Sequence, residues 1–458
     1  MTTTNLAPIS IDELEFGREK ITQTELDHVI DLHEAYLKRR PRGVRANLKL
    51  RDLSYLNFTG RDLSEADLSG AKLLGSNLRG AKLIGTNFFA ADLRNANLEH
   101  TEFRRADLRG ASLRGANMND AIFIEADLRG GVMLRPGKGG ELKQLTFNDG
   151  KVDMGSATAQ RADMSRAKMS NSFILQTDLT DAVLSNVRFI RADLSFSNLT
   201  GATLDGADLT EANLSGANLQ GAVLSRTCMM YTNLRDADLI GAIIDSVDLS
   251  TADMTNAHMA KSLEDLDETL RDIVAAHVEW IGSQGRKGRR ADLSKHDLTK
   301  QDLSGLNLSA SNLGYSIMRG ISLAKISLVM ADLSFTDLRD ADLSNSDLRG
   351  INLSRATLTA ASLIGARLGP VELAGSTVSH WTTNLESARL VSCNLTGADL
   401  RGARMGRADL TNADLRDADL REVTLQDATL NNADLRGAKL DGADLRGVIG
   451  LKGEKPPT

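Results

Sequence analysis

Ala106-Asp107-Leu108-Arg109-Gly110-Ala111-Ser112-Leu113-Arg114-Gly115-Ala116-Asn117-Met118-Asn119-Asp120 is one five-residue phrase written three times: small, short polar, large apolar, then two corner residues. Carried outward in the same register, the large apolar position recurs without a break from Leu48 to Met133, eighteen units that include Leu68 and Leu108. On an α-helix a step of five residues turns through about 500°, so these side chains would drift by roughly 140° per unit and share no face. Small, polar and large residues in alternation are instead the in-out-in pattern of a very short strand. The Ser-Gly or Arg-Gly that follows reads as a corner. Such a unit cannot bury its apolar side alone, so it must stack on copies of itself, with backbone groups pairing between successive coils.

Three further runs follow, from Met164 to Met259, Leu293 to Val378 and Leu385 to Leu445, with 20, 18 and 13 units. Leu209, Leu214, Leu343 and Leu415 hold the inward position in them and, with Leu68 and Leu108, represent the expected core. Units such as Ala66-Asp67-Leu68 and Ala106-Asp107-Leu108 resemble the pentapeptide-repeat family. The resemblance implies an all-β solenoid: a right-handed, quadrilateral parallel β-helix with about 20 residues per coil. Handedness and squareness come from the resemblance, not from the period.

The phase slips divide the chain. Around 134–160, Arg-Pro-Gly-Lys-Gly-Gly and Asn148-Asp149-Gly150 are turn signals, and a hairpin pairing 141–147 with 151–154 is expected. At 379–384, His380-Trp381 separates two runs. Leu263, Leu266, Leu270, Ile273, Val274, His277 and Ile281 fall at helical spacing behind a Ser262/Asp265 capping box. A matching helix over about 24–38, with Thr24 as its cap, carries Leu26, Val29, Ile30, His33 and Leu37. These two short α-helices cap or link the solenoid ends. The expected organisation is an N-terminal segment 1–47, a first module 48–260, a linking helix and basic linker 261–292, a second module 293–447 and a tail 448–458. Helix, eighteen units and an interruption occur twice, as in a tandem duplication. The C-terminal end has no helix of this kind, so homodimerisation through an exposed β-helix end is expected there.

Composition narrows the chemistry. Hydrophobic residues make up 41% of the chain and aromatics 4%, so the core must be built from many small aliphatic side chains. A net charge of −6 demands no nucleic-acid or membrane partner, and no apolar stretch is long enough to span a bilayer. Two distant cysteines, Cys228 and Cys393, offer neither a disulfide framework nor a metal spacing and fit a reducing cytoplasm. Histidines 28, 33, 100, 258, 277, 296 and 380 are dispersed, and no metal, cofactor or catalytic group is expected. Gly137-Lys138-Gly139-Gly140 lacks the phosphate-loop spacing. Arg286-Lys287-Gly288-Arg289-Arg290 reads as helix-dipole partners and linker.

The expected function is therefore that of a non-enzymatic, cytoplasmic bacterial scaffold for protein–protein interaction. Its candidate contacts are the departures from the pattern: Tyr55, Phe196, Tyr231, Phe335 and Trp381. The alternative comes from the resemblance, because some members of the family protect DNA gyrase from quinolones or toxins by mimicking duplex DNA. Residues 196–260 carry eight acids against two bases, the one stretch with a sustained negative balance.

Overall fold

The computed structural model describes residues 19–136, 142–145, 150–265, 268–299, 301–373 and 379–451. The chain forms two compact units, Met1–His258 and Met259–Thr458. In each, the outward polar residue of one phrase bridges in parallel to the residue twenty positions on, as in Asn47 to Asp67, Asp67 to Asn87 and Asn87 to Asp107. Four bridges and four turns therefore make one coil. The strand portion of each side is so short that these remain single bridges, and among the described residues longer strands appear only where the chain leaves the coil.

Three local bonds explain the phrase. The large residue's N–H donates to the next coil, as Leu68 does to the Asn87 carbonyl at 2.8 Å. Its carbonyl closes the corner by accepting from the small residue three positions on, as Leu63 does from Ala66 at 3.0 Å. The outward Asp or Asn accepts from the N–H two residues later: Ser54 to Asp52 at 3.0 Å, Arg79 to Asn77 at 3.2 Å. That side-chain bond satisfies a corner N–H, which is why short polar residues dominate the position. The second corner residue is left-handed, φ +65° at Gly80 and +56° at Arg105, a conformation that costs glycine least.

Inward residues are sealed. Leu68, Leu108, Leu209, Leu214 and Leu343 are fully buried and Leu415 is 1% exposed. The inward alanines, such as Ala66 and Ala106, sit at the crowded corners beside them. Cys393 takes such a position, and burial pushes its thiol far above the ordinary range.

In the first unit, α1 (Gln23–Leu37) buries Leu26, Ile30 and His33 against the opening coils. Its cap is Thr22, not Thr24: the Thr22 hydroxyl accepts from Glu25 N–H while the Glu25 carboxylate accepts from Thr22 N–H at 2.7 Å. In the second unit, α2 (Leu270–Gly282) is capped by Thr269 and is 13 residues long, shorter than its periodicity suggests. Ser262 instead precedes a separate 3-10 turn, Leu263–Asp265, where its hydroxyl accepts from Glu264 N–H. Leu266 lies outside the described residues.

Both interruptions are hairpins, placed differently from the expectation. β1 (Met133–Pro136) pairs antiparallel with β2 (Leu142–Leu145), Met133 opposite Leu145. The expected partner 151–154 has already rejoined the coil, where Val152 and Met154 are buried. Ser112 bridges to Asp153 across 41 residues in place of 20, an insertion of 21. The coil thus resumes well before 160, with Ala159 in a large-residue position and fully buried. β3 (Val371–Leu373) pairs with β4 (Ser379–Trp381), and Asn352 bridges to Asn384 across 32 residues, an insertion of 12. The regular phase therefore ends near Leu368, not at Val378, which lies outside the described residues.

Candidate interaction clefts

Each hairpin leaves the coil beside a cleft. The first hairpin is closed at its base by Gly131 N–H donating to the Gly150 carbonyl at 2.7 Å. Val132 and Leu134 at its root are 41% and 51% exposed. The adjacent cleft, about 330 Å³, is lined by Arg114, Asp153, Gly155, Ser156, Phe173 and Leu175. Asp153 is buried and accepts from Gly155 N–H at 2.8 Å, with Arg114 at 3.6 Å. Lys151 places its ammonium 4.5 Å from the Phe173 ring centre. Gly155 stands where neighbouring coils carry Arg114 and Leu175, so the missing side chain opens the floor.

The cleft beside the second hairpin, about 430 Å³, is more polar: Arg349, Arg367, Arg401 and Arg421 face Glu372 and His380 over Gly369. Gly369 again replaces the outward side chain that Arg349 and Arg401 supply in the coils on either side. The arginines are held from behind. Arg349 grips Asp347 through two bonds at 2.8 and 2.7 Å, and Arg401 grips Asp399 at 2.9 and 2.8 Å. The bond from Arg401, outweighing burial, holds the Asp399 carboxyl below its usual range. Trp381 anchors the hairpin by donating Nε1–H to the Gly350 carbonyl at 2.9 Å, and the buried Thr383 hydroxyl accepts from Gly350 N–H at 3.0 Å.

The Asp-Leu-Arg clip recurs at Asp92–Arg94, Asp107–Arg109, Asp127–Arg129, Asp337–Arg339, Asp414–Arg416 and Asp434–Arg436. The five-residue period by itself does not reveal this clip. The signal was the fixed two-residue spacing from Asp to Arg, which sets a planar fork against a carboxylate.

The five candidate aromatics are not gathered into one site. Tyr55, Phe196 and Tyr231 belong to the first unit, Phe335 and Trp381 to the second. Tyr55, Phe196, Tyr231 and Phe335 all occupy left-handed corners, at φ +63°, +56°, +55° and +57°. Tyr55 and Phe196 are 73% and 63% exposed, yet each ring lies on a glycine of the next coil. A β-carbon on Gly75 would meet the Tyr55 ring at 2.7 Å, and one on Gly216 the Phe196 ring at 2.6 Å. Phe335 is only half-exposed, stacked on Tyr315 at 4.7 Å with the Arg355 guanidinium 5.3 Å from its centre.

The acids of 196–260 do not share one face. Asp208, Asp238 and Asp253 fall in three different bridge columns, and Asp205 and Asp253 are met by Arg226 and Arg235. Among the described residues, Glu99, His100 and Asp120 bring potential metal-ligand atoms within 4.8 Å of one another. Asp120 is already held by Arg161 through two bonds at 2.7 and 2.6 Å. No helix among the described residues is long and apolar enough to cross a membrane.

No curated protein matches the sequence. Among solved structures, HetL, a pentapeptide repeat protein involved in heterocyst differentiation regulation from the cyanobacterium Nostoc sp. strain PCC 7120, is 22% identical. That match covers 75% of this chain and 92% of HetL, with a TM-score of 0.24. QnrB1, a plasmid-mediated fluoroquinolone resistance protein, is 16% identical over 46% of this chain and 89% of its own, with a TM-score of 0.18. The family described as pentapeptide repeats matches residues 52–88, 91–130, 151–186, 188–226, 231–262, 307–345, 336–369, 383–417 and 413–449. More than half of the sequence is covered by these segments, each built on the twenty-residue coil, and the chain belongs to the pentapeptide-repeat family.

Proposed function

We propose that the protein is a non-enzymatic scaffold that mediates protein–protein interaction, its coils taking the right-handed quadrilateral β-helix of its family. One observation carries the reading: both insertions into an otherwise uniform wall place a hairpin beside a cleft floored by glycine. The wall itself is locally satisfied, its carboxylates engaged by corner N–H groups and arginines, which suits an inert support better than a reacting surface. Free Cys228 and Cys393 agree with a reducing cytoplasm.

The insertion lengths supply the test. Excising 131–151 joins Gly130 to Val152, and excising 370–381 joins Gly369 to Thr382; both restore the five-residue phase and should fold. Cross-linked capture with the intact chain should recover a partner that one of the excised chains loses. Retention of every partner by both would overturn the hairpins as contact sites.

The second reading, a DNA-mimicking modulator of gyrase, draws on the acid excess of 196–260. The dispersal of those acids and their arginine partners weaken it. Inhibition of gyrase supercoiling by the intact chain, lost on exchanging Asp208, Asp238 and Asp253 for Asn, would revive it.

A further inference from the structure

Both units carry the same basic loop at the same place. After α1 the chain reads Lys38-Arg39-Arg40-Pro41-Arg42-Gly43-Val44-Arg45, and after α2 it reads Ser283-Gln284-Gly285-Arg286-Lys287-Gly288-Arg289-Arg290. Lys38, Arg39, Arg40, Arg42, Arg286, Lys287 and Arg290 are exposed and, among the described residues, have no carboxylate partner. Arg45 spends its Nε–H on the Glu65 carbonyl, and Arg289 pairs with Glu268. Elsewhere on the coils arginine after arginine is neutralised by the aspartate two residues before it. These loops lack that aspartate.

The helix-dipole explanation does not account for them. Neither helix has a basic residue in its last turn, and backbone N–H groups of the loops satisfy terminal carbonyls: Lys38 to Glu34 at 3.1 Å, Ser283 to Glu279 at 2.9 Å. The loops are also fixed. Val44 N–H donates to Leu32 and Arg289 N–H to Ala276, at 3.0 and 3.1 Å. Two residues after each of these, Ala46 and Ala291 donate to His33 and His277 Nδ1, at 3.1 and 3.0 Å. A loop tied back this way presents its charges with little ordering cost on binding.

We infer that these twin loops bind the phosphodiester backbone of a nucleic acid without reading its bases. Segment 283–290 contains no apolar side chain, which leaves nothing to form the dry centre of a protein interface or to enter a bilayer. Arginine predominates in both loops, and its planar fork matches phosphate. The chain's net charge of −6 opposes attraction at long range, but charges beyond roughly 8 Å are screened at physiological salt, so the local loop governs contact. A loop neutralising about four phosphates should lose roughly a hundredfold in affinity between about 50 and 200 mM salt.

The test is fluorescence anisotropy of the full chain with a labelled duplex of arbitrary sequence, about 25 base pairs long, at both salt concentrations. Binding at the lower salt should fall at least tenfold on combining Arg39→Glu, Arg40→Glu and Arg42→Glu with Arg286→Glu, Lys287→Glu and Arg290→Glu. Exchanging the clipped pair Arg416→Gln and Arg436→Gln should leave it unchanged. Melting curves check folding, and the same six positions exchanged for Gln serve if reversal proves disruptive. No duplex binding at low salt, binding that survives the six exchanges, or binding to phosphatidylserine vesicles but not to duplex would each overturn the inference.

Discussion

The second unit begins under a helix and, among the described residues, ends bare. At its start, Ile273 of α2 joins the core, Leu270 and Val274 pack beside it, and Leu293 and Leu298 are fully buried. At its end, Leu435, Leu440, Leu445 and Val448 are only half-buried, and Ile449 is 57% exposed. The five-residue phrase is the same at both ends. An inward leucine is therefore not buried by its own unit but by what lies on either side of it, and a coil without a neighbour loses half its core. The backbone follows the same rule: Leu425 donates to Asp444 and Leu430 to Ile449 in the last described coil, while among the described residues none accepts from the N–H of Leu440.

A buried charge tests that contrast most severely. Leu343→Asp, deep in the stack, places an uncompensated carboxylate among leucines and should cost several kcal/mol, abolishing the melting transition of its unit. Leu445→Asp should cost about 1 kcal/mol, because water already reaches that site. Circular dichroism melts of the two variants decide it. Equal losses would mean that the terminal coil is as closed as the middle.

The covered starts should also differ from the bare end in their response to pH. His33 and His277 lie buried at matching helix-to-coil junctions, each accepting at Nδ1 from a coil N–H. His33 Nε2–H donates to Ser64 O at 2.9 Å, whereas His277 Nε2 has no bond of normal geometry. Burial holds both rings below their ordinary value; the Ser64 and Ser309 backbones oppose this without cancelling it. The folded pKa thus lies beneath the unfolded one. The neutral rings contribute fully above about 6.5, and that contribution is lost as pH falls from there toward the folded value. Hydrogen exchange at the Ala46 and Ala291 amides, taken relative to the intrinsic rate at each pH, should rise as pH falls below about 6.5, and exchange at Ile449 should not follow the same curve. A parallel rise at all three would remove the histidines as its cause.

Several of these features were open to sequence reasoning and others were not, for reasons visible in particular residues. The inward period is a direct consequence of burial, so Leu68, Leu209 and Leu343 could be picked out by counting. Ala159 could not, since a small residue in a large site breaks the count while the backbone carries on, and the interruption looked longer than it is. Phase alone does not say where an inserted hairpin pairs: Gly150 closes the hairpin's base and does not form its tip, and Asn148 and Asp149 lie outside the described residues. Thr22 caps α1 and not Thr24 because Glu25, three residues on, completes its capping box, a spacing legible in the sequence. The clefts were least accessible of all. They arise from absent side chains at Gly155 and Gly369, and those glycines matter only because of coils twenty residues away.

The smallest expected effect is the most local. Asp434 sits near the bare end, and its clip to Arg436 lowers its pKa to about 2. Arg436 reaches it through Nε at 2.9 Å and Nη2 at 2.6 Å, and the Arg436 backbone N–H adds a third bond at 3.2 Å. All three bonds come from a residue two positions away, so they need no covering coil. The carboxylate is half-exposed, and the effect should register in titration more than in stability. Arg436→Ala removes the fork but keeps the backbone donor, so the pKa should climb only part of the way to its ordinary 3.8. Carboxyl-carbon NMR can follow that single group. A full return would assign the whole shift to the guanidinium, and no change would leave the backbone N–H and the neighbouring Arg416 as its sources. A partial return would mean that the corner survives intact at the end of the stack, where burial and the bonds between coils, but not the corner's own geometry, depend on a neighbour.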